Sequence, residues 1–337
     1  MTKIHLNPKD SKIGVLGSGS FATAIVKMLL ENSKVVHWCV KDENVKNAIK
    51  TKGYNPKYLM AVHFDVRRLK LTTNINSLVS RCDIIILATP SLYLSGFLDQ
   101  MTCSYMGKIF ISAIKGIIPK TNTIVAHYLK ETYGIELSFQ GVIAGPCHAE
   151  EVAMEKLSYL TIATGNDWAL KKIPQLFSSD FIKVHTSADV LGNEYSAILK
   201  NIYAIGAGIS NGLNYGDNFI AIFISNAIRE MEVFLKGVYD SPRDVKESAY
   251  LGDLLVTAYS LFSRNRSLGN LIGKGYTVKS AIQSMKMIAE GYYATDSIYK
   301  TSQSKKLKTP IIKTLYKILY EEKNPEKEFK KLTQIFN

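Results

Sequence analysis

The chain has 337 residues, of which 46% are hydrophobic and 21% charged, and it carries a formal net charge of +13 at pH 7. This length and composition indicate a globular protein with enough core for two domains, and they exclude a low-complexity or disordered chain. No apolar run approaches the ~20 residues that a membrane-spanning helix needs, and residues 1–10 lack the apolar core of a signal peptide.

The first predicted element is a buried strand that turns sharply into a helix, from Ile13 to Ala22. Gly17 would permit the tight turn, and Gly19 would let the backbone contact a pyrophosphate at the helix N-terminus. A lone pattern of this kind also fits an ordinary strand–turn–helix. The second apolar strand at 35–40 completes a βαβ unit, which favours dinucleotide binding.

Five further apolar runs follow, and each is short enough for a buried strand. They are 83–90, 108–113, 141–146, 157–163 and 182–185. Near-continuous apolar strands that alternate with helices predict a Rossmann-type α/β domain with a parallel-rich sheet. Ligands bind beyond the carboxyl ends of such strands. We therefore expect the segments that follow the runs to converge there, namely Ser18–Phe21, Pro90, Lys115 and Gly145–Ala149.

From about Ser187 the pattern becomes helical. The helical stretches are 189–208, 218–236, 242–263, 278–302 and 310–322. This shift predicts a dinucleotide-binding domain over 1–187 and an all-helical substrate domain over 188–337.

Lys200 is the most suggestive single residue, because it lies in a stretch that is apolar or small on nearly every side. A buried lysine has its pKa lowered by desolvation, which suits an acid–base catalyst. A structural lysine paired with Glu194 or Asp217 is an equally good interpretation of this stretch. Asp253 also lies in an apolar segment and needs a partner, for which Lys200 is a candidate.

Two other segments suit an anionic ligand. The turn at Gly145-Pro146 leads into a helix start, whose backbone N–H groups can bind an anion. Arg264 and Arg266 flank Asn265, an arrangement that suits bidentate capture of a phosphate, although a surface turn with two salt bridges is commoner.

The remaining charge and the cysteines favour ordinary surfaces. Residues 300–337 hold ten Lys and four Glu, and we interpret them as a solvated face rather than a nucleic-acid site. The four cysteines are widely scattered with no Cys-x-x-Cys pair, so they suggest neither a zinc site nor a disulfide framework, and we expect no bound metal. We expect a reduced, cytoplasmic protein.

In combination and order, these segments resemble the bacterial-type NAD(P)-dependent glycerol-3-phosphate dehydrogenases, from Gly14 to about Gly291 and more weakly to Tyr320. The motifs that carry the resemblance are Gly17-Ser18-Gly19-Ser20-Phe21, Ala113-Ile114-Lys115-Gly116-Ile117, Gly145-Pro146-Cys147-His148-Ala149-Glu150, Leu199-Lys200-Asn201, Tyr215-Gly216-Asp217-Asn218, Gly252-Asp253-Leu254, Ser263-Arg264-Asn265-Arg266 and Glu290-Gly291.

The resemblance implies reversible oxidation of sn-glycerol 3-phosphate to dihydroxyacetone phosphate, which supplies glycerol 3-phosphate for phospholipid synthesis. It implies that Lys200 transfers the proton and that Lys115 and Asp253 assist catalysis. The implied substrate-binding residues are Lys115, Gly145, Cys147, Lys200, Asp253, Ser263, Arg264 and Asn265. The implied cofactor-binding residues are Gly17, Gly19, Ser20, Phe21, Lys41, Lys115, Ala149, Arg264, Ile288 and Glu290.

The chain departs from this family pattern at three places. Cys147 stands where Ser or Thr is usual, Phe21 stands where Trp is frequent, and Ser225-Asn226 replaces a stretch that often carries Arg. The choice between NAD and NADP stays open. Lys41 favours NADP, whereas an acid such as Asp42 at the end of the second strand would favour NAD.

Two other functions remain as alternatives. A 6-phosphogluconate or 3-hydroxyacid dehydrogenase would also combine a Rossmann domain with a helical domain and a Lys-Asn dyad. A non-catalytic dinucleotide sensor would bind partners through its basic tail, residues 300–337. The expected partner is a small phosphorylated substrate, with no integral membrane segment. The oligomeric state stays open, and a homodimer is one alternative.

Overall fold

The computed structural model describes residues 11–285 and 287–336. Residues 1–10, on which the prediction of no signal peptide rests, lie outside this part. The chain divides into two compact units. The first contains the described residues up to Ile114 together with Val125–Val190, and the second contains Lys115–Ile124 and the chain from Leu191 onward.

The first unit is built on one eight-stranded sheet in the order β3-β2-β1-β4-β5-β6-β7-β8. The strands are β1 (Ile13–Leu16), β2 (Val36–Cys39), β3 (Leu69–Thr72), β4 (Ile84–Leu87), β5 (Ile109–Ser112), β6 (Gln140–Ala144), β7 (Ser158–Thr164) and β8 (Ile182–Ser187). The helices are α1 (Ser20–Asn32), α2 (Glu43–Lys52), α3 (Ile75–Arg81), α4 (Ser91–Leu98), α5 (Val125–Tyr133), α6 (Ala149–Ala153) and α7 (Asp167–Phe177).

The central strands are buried along their whole length. Every residue of β1, β4 and β5 is buried, because helices cover both faces of the sheet. All neighbouring strands pair in parallel except β6 and β7, which are antiparallel. The prediction of a Rossmann-type, parallel-rich α/β unit is thus confirmed.

One strand, β3 at an edge of the sheet, is not predicted by the sequence pattern. Only Leu69 is buried in this strand, and Lys70 is exposed, so its four residues give no continuous apolar run. An edge strand contacts one neighbour and needs less apolar surface than a central strand.

The second unit is helical, as predicted. Its helices are α8 (Val190–Gly212), α9 (Gly216–Val238), α10 (Asp253–Tyr259), α11 (Arg264–Gly273), α12 (Val278–Ser284), α13 (Glu290–Ser304), α14 (Pro310–Tyr320) and α15 (Pro325–Thr333). Among the described residues, no helix combines the length and the hydropathy that crossing a membrane requires.

The predicted helices at 242–263 and 278–302 are each interrupted. The first contains irregular backbone, a π-helical turn at Ser248–Gly252, and only then α10. The second divides into α12 and α13, with an extended backbone at Met285. In both stretches the apolar spacing indicated a helix but did not show the interruptions, because helix ends depend on caps that the spacing does not reveal.

Glycines bring α8 and α11 into direct backbone contact. A Cβ atom on Gly208 would lie 2.1 Å from the carbonyl oxygen of Arg266, and one on Gly269 would lie 2.0 Å from that of Ile205. Since no side chain separates the two helices there, the start of α11 is held against the C-terminal half of α8.

Candidate active site

The turn after β1 has the geometry that its glycine pattern predicts. Gly17 has φ +131°, a backbone conformation that residues other than glycine rarely adopt. A Cβ there would lie 2.2 Å from the carbonyl oxygen of Ala88. The N–H of Gly17 donates to the carbonyl oxygen of Cys39 at 2.9 Å. The turn is therefore fixed against the ends of β4 and β2.

The N-terminus of α1 is suited to an anion. Gly19 is its N-cap, with no side-chain hydrogen bond to the first turn and no acidic residue in that turn. A Cβ on Gly19 would meet no atom within 4 Å, so the backbone here borders open space. Ser20 and Phe21 begin the helix, the first buried and the second half-buried. These features fit a dinucleotide pyrophosphate.

Lys41 and Asp42, which follow β2, differ in exposure and in hydrogen bonding. Lys41 is exposed, whereas Asp42 is the N-cap of α2 and its Oδ1 accepts from the N–H of Val45 at 2.9 Å. One oxygen of the Asp42 carboxylate is thus engaged in starting the helix.

Gly145, Cys147 and Ala149 lie on the connection from β6 to α6. Gly145 has φ +98°, and a Cβ there would lie 3.0 Å from the carbonyl oxygen of Tyr159, so this turn also requires glycine. Cys147 and Ala149 are buried in the apolar cluster that contains α1. The structure thus brings α6 and α1 together, with Phe21 packed against the same cluster.

In the second unit, Lys200 and Asp253 form a buried ion pair. Lys200 lies in the middle of α8 and is 4% exposed, and Asp253 begins α10 and is 1% exposed. Lys200 Nζ donates to Asp253 Oδ1. Asp253 was one candidate partner for Lys200 on sequence grounds, and the two side chains are in contact.

Lys115 completes this cluster. Its Nζ lies 3.7 Å from Asp253 Oδ2, a buried oxygen that accepts no hydrogen bond from the described residues. Burial lowers the pKa of Lys200 to about 7; the Asp253 carboxylate partly opposes this change, and the positive charge of Lys115 adds to it. An amine with such a pKa can both accept and donate a proton near neutral pH.

Two residues near this cluster were missed as candidate site residues. Lys200 Nζ also donates to Thr257 Oγ1 at 3.2 Å, and that hydroxyl donates to the Asp253 carbonyl oxygen at 2.6 Å. Asn201 Nδ2 donates to the carbonyl oxygen of Lys115 at 3.0 Å. The spacing of four residues from Asp253 to Thr257 is a signal that could have placed both on one face of a helix.

The phosphate-binding candidates lie at the start of α11. Ser263 is the N-cap, and its Oγ accepts from the N–H of Arg266 at 3.3 Å. Arg264 begins the helix and is half-buried. The buried Asn265 accepts from the N–H of Gly291 at its Oδ1, at 2.9 Å. Ser263–Arg266 is therefore a helix start rather than a surface turn.

The remaining candidates lie at the start of α13. Glu290 is the first residue of this helix, and Ile288 lines a small pocket with Tyr292 and Tyr293. The departure at Ser225-Asn226 lies on α9, where both side chains bond the helix's own carbonyl oxygens, those of Ala221 and Ile222. Nothing in the structure explains why Arg is replaced there.

A glycine turn on a doubly wound sheet and a helical unit that buries a lysine–aspartate pair are typical of the two-domain, dinucleotide-dependent dehydrogenases. Comparisons with known proteins define the family within this class. Residues 12–169 match the model for the N-terminus of NAD-dependent glycerol-3-phosphate dehydrogenase, and residues 189–330 match the model for its C-terminus. The chain belongs to the NAD-dependent glycerol-3-phosphate dehydrogenase family.

Individual relatives agree with this assignment. Glycerol-3-phosphate dehydrogenase [NAD(P)+] from Staphylococcus epidermidis is 34% identical over 316 residues, which cover 92% of this chain and 94% of that protein. The enzyme of the same name from Chlorobium limicola is 31% identical over 313 residues, with the same coverage. The crystal structure of glycerol-3-phosphate dehydrogenase from Coxiella burnetii superposes with a TM-score of 0.87 at 25% identity, covering 96% of this chain and 99% of that one.

Proposed function

We propose that this protein catalyses the reversible, NAD(P)-dependent oxidation of sn-glycerol 3-phosphate to dihydroxyacetone phosphate. The observation that carries the proposal is the buried Lys200–Asp253 pair, with Lys115 beside it. In the reducing direction the product is glycerol 3-phosphate, and we propose that it serves phospholipid synthesis.

Lys200 is the proton-transfer residue of this proposal. In the oxidising direction, neutral Lys200 Nζ accepts the proton of the C2 hydroxyl; in the reducing direction, protonated Nζ donates it to the carbonyl oxygen. Burial supports this role because it lowers the pKa of Lys200 to about 7. When bound, the nicotinamide ring takes or supplies the hydride.

Asp253 and Lys115 set the charge around that proton. Asp253 Oδ1 holds Lys200 Nζ in place, and its Oδ2, which accepts no hydrogen bond from the described residues, can accept one from a substrate hydroxyl. Lys115 adds a second positive charge near this carboxylate. That charge lowers the pKa of Lys200 and so offsets part of the increase caused by Asp253.

The other proposed contacts divide between phosphate and coenzyme. Arg264 and Asn265 bind the substrate phosphate through charge-assisted hydrogen bonds. Other proposed substrate contacts are Gly145, Cys147 and Ser263. The proposed coenzyme contacts are Gly17, Gly19, Ser20, Phe21, Lys41, Lys115, Ala149, Arg264, Ile288 and Glu290.

We propose that the coenzyme site accepts NADP as well as NAD. Asp42 already caps α2 through one carboxylate oxygen, while the exposed Lys41 can approach a 2′-phosphate. The cytoplasm as the compartment stays a prediction from the sequence, and a homodimer stays one alternative for the assembly.

One spectrophotometric assay tests the proposed function. The oxidation of NADH and of NADPH is followed with and without dihydroxyacetone phosphate. We expect rapid oxidation that depends on dihydroxyacetone phosphate. Tight coenzyme binding without turnover would favour the sensor alternative. Turnover of 6-phosphogluconate or a 3-hydroxyacid, with none of dihydroxyacetone phosphate, would favour the other dehydrogenases.

A further inference from the structure

Consecutive carbonyl oxygens of the glycine turn, at residues 17–19, accept hydrogen bonds from fully buried side chains. Trp38 Nε1 donates to the carbonyl oxygen of Gly17 at 2.6 Å. Asn55 Nδ2 donates to the carbonyl oxygen of Ser18 at 3.0 Å. Trp38 and Asn55 are both 0% exposed, so water does not reach either donor side chain.

Thr23 completes the set from within α1. Its Oγ1 donates to the carbonyl oxygen of Gly19 at 2.9 Å and accepts from Asn55 Nδ2 at 2.8 Å. Asn55 Oδ1 accepts from the N–H of Lys57 at 3.1 Å, which fixes the orientation of the carboxamide. Asn55 and Thr23 thus form a connected pair behind the turn.

The orientation of the carbonyl groups determines that of the N–H groups. In a trans peptide the C=O of one residue and the N–H of the next point in opposite directions. Since these three carbonyls point toward Trp38, Asn55 and Thr23, the N–H groups of Ser18, Gly19 and Ser20 point away from those partners. None of the three donates to an acceptor in the described part of the chain.

We propose that Trp38, Asn55 and Thr23 are positioning residues for the coenzyme: by holding the carbonyls of residues 17–19, they preorganise the N–H groups that bind its pyrophosphate. This inference rests on the proposed function. Preorganised donors avoid the entropy cost of ordering the turn on binding. The three side chains should therefore control coenzyme affinity without changing proton transfer at Lys200.

Trp38→Phe is the first test, because it keeps a ring next to Phe64 and removes the N–H. We expect the dissociation constant of NADH, measured by calorimetry on the whole protein, to rise about fivefold to tenfold. The matched control is Trp168→Phe, since the Nε1 of Trp168 is buried without a hydrogen-bond partner in the described residues. The control should bind NADH like the wild type.

Thr23→Val is the second test, and it keeps the inference testable if Trp38→Phe does not fold. It removes the hydroxyl that bonds Gly19 with little change in volume. Its matched control is Thr164→Val, which removes an equally buried hydroxyl that donates to the carbonyl oxygen of Gln140 at 2.7 Å and accepts from the N–H of Asn166 at 3.2 Å. We expect weaker NADH binding only for Thr23→Val, again by about fivefold.

Kinetics separates positioning from a general structural role. For Trp38→Phe and Thr23→Val we expect KM for NADH to rise, while kcat at saturating NADH and KM for dihydroxyacetone phosphate stay within about twofold of the wild type. Equal NADH affinity in each variant and its control would overturn the inference and leave the proposed function intact. Failure of the wild-type protein to bind NADH or NADPH would overturn both.

Discussion

The glycine turn and the Lys200 cluster would handle charge by different means. The turn after β1 presents neutral backbone N–H groups whose directions are set by buried hydrogen bonds. The cluster in the second unit holds ionisable side chains in a buried environment, where small changes in charge alter pKa values.

This difference has a functional consequence. Backbone donors do not titrate, so anion binding at the turn should be nearly independent of pH. Proton transfer by Lys200 requires the opposite property, a group whose protonation changes near the working pH. Variants in the two regions should accordingly affect different parameters: coenzyme affinity for the turn and turnover for the cluster.

The largest effect is expected for Lys200→Ala. Removing the proposed proton-transfer group should lower kcat by ~10²–10⁴, while the dissociation constant of NADH stays close to that of the wild type. Steady-state kinetics and calorimetry measure the two quantities. Lys300→Ala is the control, because Lys300 forms a surface ion pair with Asp296. Near-normal turnover of Lys200→Ala would remove Lys200 from its proposed role.

Asp253→Asn should lower kcat by about 10–10², since it replaces a charge-assisted hydrogen bond to Lys200 Nζ. It should also lower the thermal stability, because it leaves a buried amine without its counter-ion. Asp296→Asn removes the carboxylate of the surface pair and should change neither quantity measurably. Equal effects of the two substitutions would contradict the assignment of Asp253.

Gly19→Ala sharpens the comparison from the side of the turn. A Cβ at Gly19 meets no protein atom and φ is −79°, so the fold should tolerate alanine. The methyl group would occupy the space proposed for the pyrophosphate and should weaken NADH binding about tenfold. Gly165→Ala, also in open space, is the matched control. Unchanged affinity with unchanged melting temperature would place the coenzyme elsewhere.

The smallest effect is expected for Lys41→Ala. Loss of one exposed positive charge should raise KM for NADPH about threefold to tenfold and leave KM for NADH nearly unchanged. Lys50→Ala, in the last turn of α2, is the control. A parallel rise in both KM values would show that Lys41 does not distinguish the coenzymes.

The sequence predicted best what local patterns determine. Continuous apolar runs identified the central strands, and the spacing of Gly17 and Gly19 identified the turn, because a turn of this kind depends on neighbouring residues. The ion pair between Lys200 and Asp253 could be predicted as one of several candidate pairs, because a buried carboxylate requires a partner.

The sequence could not show what depends on distant packing. Lys115 follows β5, and the sequence predicted it at the edge of the sheet. The segment Lys115–Ile124 instead belongs to the second unit, where Lys115 Nζ lies beside Asp253. The four residues Ser263–Arg266 at the start of α11 only weakly indicate a phosphate site when they are considered alone. The position of α11 relative to Lys200 follows from the contact between α8 and α11. That contact depends on glycines about 60 residues apart, such as Gly208 and Gly269, which no local pattern connects.

The pH dependence of glycerol 3-phosphate oxidation tests the central claim most directly. At saturating coenzyme, kcat/KM of the wild type should rise with pH through about 7, because Lys200 must be neutral to accept the proton. Asp253→Asn should move this limb to lower pH, since the carboxylate raises the pKa of Lys200, and Lys115→Met should move it to higher pH, since that ammonium lowers it. A limb that stays at the same pH in all three proteins would contradict proton transfer by Lys200.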